Sequence, residues 1–182
     1  MRAPAKLCVT FAALLMGATK AHAAGSLEYA LKATYLTKFA PFVQWPDSVF
    51  ASADSPIVIC VYGADPFGPL LDQAAAGQRV GARPIAVRHI ATVAAGDGCH
   101  IGFLGGNPQQ PVTQGLEILR LQPVLTVTDN APDKNSHGIV NFIIVDNHVR
   151  FEIDERAAAQ NHITISSKLL TLARPPGQVN KE

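Results

Sequence analysis

The stretch from Gly138 to Arg174 constrains the fold more than any other part of the chain. Ile139 to Val145 is an apolar run interrupted only by Asn141, and its length and β-branching predict a buried strand. After it, Val149, Phe151 and Ile153 alternate with His148, Arg150 and Glu152, the period of a strand with one wet face. Asp146-Asn147 between them is a two-residue loop whose side chains tolerate positive φ, so the two strands should form a hairpin. Asp154 is placed to cap a following helix, and Glu155 faces the positive end of its dipole. Ser166 is placed to cap a second, short helix carrying Leu169, Leu170 and Leu172, which Pro175-Pro176 stops. A hairpin feeding helices reads as the closing unit of an α/β domain.

The other end of the chain has a different character. Arg2 and Lys6 precede a short apolar core, Leu7–Met16, and Ala21-His22-Ala23 offers a small-x-small cleavage site. This predicts a secretory leader over residues 1–23 and a mature chain from about Ala24, because the apolar run is too short to span a bilayer. Cys8 lies in the leader without lipobox spacing and leaves with it. Two of the three cysteines then remain, Cys60 and Cys99, in an oxidising compartment. A Cys60–Cys99 disulfide is expected; two buried free thiols are the alternative. Neither cysteine has the close Cys or His spacing of a zinc site.

Between these ends the pattern predicts one domain, residues 24–174, followed by a disordered tail over 175–182. The 182-residue length suffices for a single core, and a formal net charge of +1 shows no basic excess, which argues against nucleic acid as a partner. A helix opens at Ser26 with Leu27, Leu31, Tyr35, Phe39 and Phe42 as an apolar stripe and ends before Trp45-Pro46. Ile57–Tyr62 reads as a buried strand, and Gly63-Ala64-Asp65-Pro66 turns into a helix carrying Phe67, Leu70 and Leu71. Further strands are expected at Pro84–Ile90, His100–Leu104 and Val124–Val127, with a helix around Val112–Leu121 and a surface loop at Asn130–His137. This order predicts a mixed sheet with helices on both faces.

Fragments that suggest catalysis have simpler explanations. Gly63-Ala64-Asp65-Pro66-Phe67-Gly68 sits where a phosphate loop would, but it lacks the second glycine, and Asp65 would repel a pyrophosphate. Gly102-x-x-Gly105-Gly106 reads as a tight turn. His89, His100, His137, His148 and His162 lack the i, i+4 spacing of a helical metal pair and read mostly as surface imidazoles. Ser166-Ser167-Lys168 is not Ser-x-x-Lys, and no Gly-x-Ser-x-Gly occurs. No cofactor or metal is expected, and no catalytic constellation stands out.

Four pieces, in this order and spacing, resemble the YfiR family of periplasmic regulators. They are the helix with Lys32-Ala33-x-Tyr35-Leu36 that ends in Phe42-Val43-Gln44-Trp45-Pro46; Ile57-Val58-Ile59-Cys60-Val61 with Gly63 and Pro66-Phe67; Cys99-His100-Ile101; and Gly138-Ile139-Val140-Asn141-Phe142 through Val149-Arg150-Phe151-Glu152-Ile153 to Ile165-Ser166-Ser167-x-Leu169-Leu170. The resemblance implies a Rossmann-like three-layer α/β sandwich, its mixed, mostly parallel sheet closed by the C-terminal hairpin and helices, that can dimerise. It implies a non-enzymatic repressor of an inner-membrane diguanylate cyclase, acting on the cyclase's periplasmic sensor region and lowering cyclic-di-GMP and biofilm formation. It also implies an OmpA-like outer-membrane lipoprotein that sequesters the repressor. The chain departs from some members in lacking a second cysteine pair in Asn130–Ile153, so redox control through that pair does not carry over.

Two other readings remain beside the repressor: a periplasmic small-molecule sensor and, third, a hydrolase, disfavoured by the missing nucleophile–base pair. For partner or ligand contact the sequence nominates Arg150, Glu152, His162, Thr164, Ser166 and Lys168, where polar groups exceed what capping requires beside apolar ones.

Overall fold

A computed structural model describes residues 19–175. The leader expected over 1–23 lies outside the described residues as far as Ala18, and residues 176–182 of the expected tail lie outside them too. The described residues open with a long helix, α1 (Thr19–Phe39), which tightens into a 3-10 turn at Ala40–Phe42 and enters a two-residue strand, β1 (Val43–Gln44). Next come β2 (Ile57–Gly63), α2 (Pro69–Ala75), β3 (Arg79–Val80) and β4 (Arg83–Ile90). The second half holds β5 (Ile101–Gly106), α3 (Val112–Leu119), β6 (Leu125–Asp129), β7 (Val140–Val145), β8 (His148–Ile153), α4 (Glu155–Gln160), β9 (Thr164–Ile165) and α5 (Ser167–Leu170).

Seven strands form one sheet in the order β3-β4-β2-β5-β6-β7-β8. The five from β4 to β7 run parallel, and β3 and β8 pair antiparallel at the two edges. Alternate residues of β2 enter separate cores. Ile57, Ile59 and Val61 join Leu36, Phe39, Leu71 and Leu169 on one face, while Cys60 and Tyr62 join Leu104, Leu119 and Val124 on the other. Thus α1, α2, α4 and α5 cover one face and α3 the other, the mixed sheet with helices on both sides that the strand and helix order predicts.

The hairpin forms as its sequence dictates. Val140–Val145 pairs with His148–Ile153, and Asp146 and Asn147 take φ of 50° and 59°. Asp154 caps α4 by accepting from the Ala157 N–H at 2.9 Å, and Ser166 caps α5 by accepting from the Lys168 N–H at 3.3 Å. The Asn130–His137 loop is ordered by a capping box in which Asp133 accepts from Asn135 and Ser136 around a 3-10 turn at Lys134–Ser136.

Two expectations are corrected. The stripe assigned to α1 is rotated: Leu27 and Leu31 are 73% and 41% exposed, and the buried face carries Lys32, Ala33, Leu36, Phe39 and Ala40. The reason is Lys32, whose charge made that face look polar although ion pairs neutralise it. His89 is exposed, as the surface reading of that histidine expects, with its two ring nitrogens each 3.1 Å from a carboxylate, of Asp65 and of Asp72. His100, grouped with the surface imidazoles, is buried. The sequence reading also missed β1 and β9, which pair antiparallel as Val43 with Ile165 and Gln44 with Thr164. Two residues are too few to show a period.

Candidate functional site: a cleft at the carboxyl ends of the parallel strands

Chain direction across the sheet reverses between β2 and β5. From β2 the chain passes through α2 to β4 on one side, then crosses back to β5 on the other and continues outward to β6 and β7. In open α/β sheets the crevice beyond the carboxyl ends of the strands at such a reversal is the usual ligand site. Here β5 and β6 pair only from Ile101 to Phe103 and Leu125 to Val127, although β5 continues to Gly106 and β6 to Asp129. Beyond that ladder lies a cleft of about 340 Å³, at the small end of the range for metabolite sites. Its walls are Ala64 and Pro66 after β2, Phe103 to Gly105 of β5, Val112 of α3, Thr128 and Asp129 at the end of β6 with Asn130 to Pro132 after it, Ser136, and Tyr29 of α1.

Glycine makes this end of the sheet possible. A Cβ on Gly105 would stand 1.9 Å from the Ala64 carbonyl oxygen, and one on Gly63, whose φ is +78°, would stand 2.5 Å from that of Gly106. Only bare backbone lets β2 and β5 approach so closely at the cleft floor.

One wall is held by an unusual buried charge. Lys32 is fully buried, and its Nζ donates to both carboxylate oxygens of Asp129 at 2.6 and 2.7 Å and to Glu28 one turn earlier. The ammonium also lies 4.8 Å from the centre of the Tyr29 ring and 5.9 Å from that of Phe142. Asp129 accepts a further hydrogen bond from the Asn130 amide at 3.1 Å. Tyr29 completes the wall, its hydroxyl pushed up to about 12 by burial first and then by the charge and hydrogen bond of Asp129. The clasp therefore ties α1 to the end of β6 and presents Tyr29 and Asp129 to the cleft.

Far from the cleft, toward the amino ends of the strands, a second cluster surrounds His100. Its ring stacks on Phe50 at 4.6 Å between centroids, and the Arg83 guanidinium lies 3.6 Å over the same Phe50 ring. Nδ1 of His100 accepts from the Val58 N–H at 3.1 Å, which fixes a neutral tautomer. Burial, and then the Arg83 charge, lowers the His100 pKa to about 4. Cys60 and Cys99 are joined by a disulfide, their Cα atoms 5.9 Å apart, and the Tyr62 hydroxyl lies 3.0 Å from the Cys99 sulfur. Among the described residues, no three His, Cys, Asp or Glu side chains gather to hold a metal ion.

The residues nominated from sequence fall into two places. His162 (at φ 57°), Thr164 and Lys168 are exposed along the segment from α4 to α5, and Ser166 is half-buried as the α5 cap. Arg150 and Glu152 lie on β8, on the face opposite Val149, Phe151 and Ile153 and so away from the core that holds Ile163, Ile165 and Leu169. Arg150 is exposed; Glu152 is largely covered, 4.0 Å from the His137 ring. The cleft residues Tyr29, Lys32 and Asp129 were not nominated. A lysine beside the largely apolar series Tyr29, Ala33, Leu36, Ala40 was the available signal.

A seven-stranded, mostly parallel sheet with a strand-end cleft and a Cys60–Cys99 disulfide defines a small α/β domain. The chain belongs to the YfiR/HmsC-like family, which it matches over residues 29–174. The match thus opens at Tyr29 in the cleft wall and closes at Arg174, whose N–H bonds to Phe151 of β8. No curated protein matches the chain.

Proposed function

We propose that this protein is a periplasmic regulator of cyclic-di-GMP signalling that represses an inner-membrane diguanylate cyclase by contact with the cyclase's periplasmic sensor region. The family match over residues 29–174 is the observation that carries this reading. The disulfide supports it, since such bonds persist in oxidising compartments, as does the export signal read in residues 1–23. On this reading the protein is not an enzyme: it lowers cyclic-di-GMP and biofilm formation, and an OmpA-like outer-membrane lipoprotein relieves the repression by sequestering it. The domain spans residues 24–174 as a Rossmann-like three-layer sandwich and works alone or as a homodimer. The contact surface is the exposed segment with His162, Thr164, Ser166 and Lys168, with Arg150 and Glu152 on the hairpin as a separate patch.

Deleting the gene and measuring cyclic-di-GMP tests the repressor reading. The dinucleotide should rise, and re-expression should restore it only when the chain carries its leader. Unchanged or lower dinucleotide in a strain that keeps the cyclase rejects repression. His162→Ala, Thr164→Ala, Lys168→Glu and Arg150→Glu test the surface, which lies elsewhere if every folded variant still represses. A second reading, a sensor whose ligand state feeds a partner, is favoured by one observation, the cleft of about 340 Å³ at the strand-order reversal.

A further inference from the structure

Resting on the sensor reading, we infer that the cleft takes a small organic cation, an ammonium group on a compact apolar body. Size comes first: about 340 Å³ admits a molecule of amino-acid dimensions and excludes a dinucleotide. The inner lining is largely apolar, from Pro66, Phe103, Leu104, Val112, Ala131 and Pro132.

Charge decides the rest. Asp129 lies in the wall, and the elements that form the cleft also bring Glu28, Asp65 and Asp133, each a chain neighbour of a lining residue. Against these four carboxylates the same segments carry Lys32 and Lys134, with two imidazoles beside them: His89, 3.1 Å from Asp65, and His137, 3.1 Å from the Ala131 carbonyl. Lys32 is fully buried and already shared between Glu28 and Asp129, so its ammonium cannot reach a bound anion. The amino end of α3, at Val112, contributes about half a positive charge. The balance stays negative, and a phosphate or carboxylate would meet Asp129 with no free cation in the lining to neutralise it. A ligand ammonium, by contrast, finds the Tyr29 ring and the Asp129 carboxylate on one wall. Both Asp129 oxygens already accept from Lys32, but that single cation is shared with Glu28, so the cluster keeps one net negative charge for a second ammonium.

The test uses the mature full-length chain and three probes that share one ring: cyclohexylmethylamine, cyclohexanecarboxylate and cyclohexylmethanol, each titrated by calorimetry. The amine should bind, and the carboxylate should not. Ala131→Lys places a cation in the lining without touching the Lys32 clasp and should weaken the amine by roughly tenfold or more. Pro132→Lys, at an exposed lining position, repeats the test if the first variant folds poorly. If the carboxylate or the alcohol binds as tightly as the amine, the charge inference fails while the sensor reading stands. Amine binding unchanged in folded lysine variants would show that the site is not this cleft. Failure of all three probes overturns the inference and removes the support that the cleft lends to the sensor reading.

Discussion

Replacing Cys60 and Cys99 together by alanine should cost the domain a large part of its stability, and the structure sets the size. The bond closes a loop of sequence separation 39, for which the chain-entropy relation gives about 13 cal/mol/K, or about 4 kcal/mol at 25 °C. Both sulfurs are buried among Tyr62, Leu104, Leu119 and Val124, so the two small voids left behind add about 1 kcal/mol. Losing about 5 kcal/mol should lower Tm by roughly 10–15 °C in a domain of this size. Urea titrations of the oxidised protein, the protein with dithiothreitol and the Cys60→Ala/Cys99→Ala pair separate the terms. The reduced protein should fall close to the double variant, and the single variants should match it. Both should show a steeper urea dependence, because the uncrosslinked unfolded chain exposes more surface. A double variant within about 3 °C of the oxidised protein, or a Tm indifferent to dithiothreitol, would refute the loop-closure argument.

Three further outcomes follow from the described contacts. Lys32→Met should destabilise by about 3–5 kcal/mol, since it leaves Asp129 and Glu28 facing each other without their cation; adding Asp129→Asn should recover part of the loss in a denaturation cycle, and simple additivity would contradict a shared clasp. Acid should weaken the fold through His100: unfolding lets the ring take up a proton below its ordinary pKa near 6.5, whereas in the folded chain it does so only near pH 4. That contribution is complete above about pH 6.5 and is lost as the pH falls through about 4, worth about 2 kcal/mol once solvent screening is allowed for, and His100→Gln should flatten this part of the urea-midpoint profile. Gly105→Ala should unfold at distinctly lower urea, by about 3 kcal/mol, because its Cβ has no room beside the Ala64 carbonyl; an unchanged midpoint would mean that β2 and β5 separate freely.

The elements that declared themselves in sequence did so through local physics. The Asp146-Asn147 turn, the Asp154 and Ser166 caps and the apolar β2 each depend on a few adjacent residues, so pattern and structure agree. The cleft depends on residues from Tyr29 to Ser136 that only the strand order brings together, and no window of sequence contains it. Lys32 misled twice, since a lysine within a helix reads as solvated, and this one turned the inferred stripe toward Leu27 and Leu31. Its partner Asp129 is 97 residues away, beyond any local rule. The histidines divided the same way: His100 is buried by Phe50 and Trp45, neither of them a sequence neighbour.

The pairing of β1 with β9 bears on the order of assembly. Val43 meets Ile165, and the Ser166 N–H bonds to the Phe42 carbonyl at 2.8 Å, so the strand that follows the first helix waits for a segment near the far end of the chain. The core beneath α1 needs the same late arrivals, since Phe151, Ile163 and Leu169 are among the groups that bury Leu36 and Phe39. A chain delivered amino end first therefore exposes that helix's apolar side until nearly all of it has emerged. Truncation shortly before Thr164 should leave a species that is collapsed yet unlocked, open to proteases and holding chaperones. On the proposed periplasmic reading, in which the chain crosses the membrane unfolded, the delay would keep it slack until translocation is almost complete.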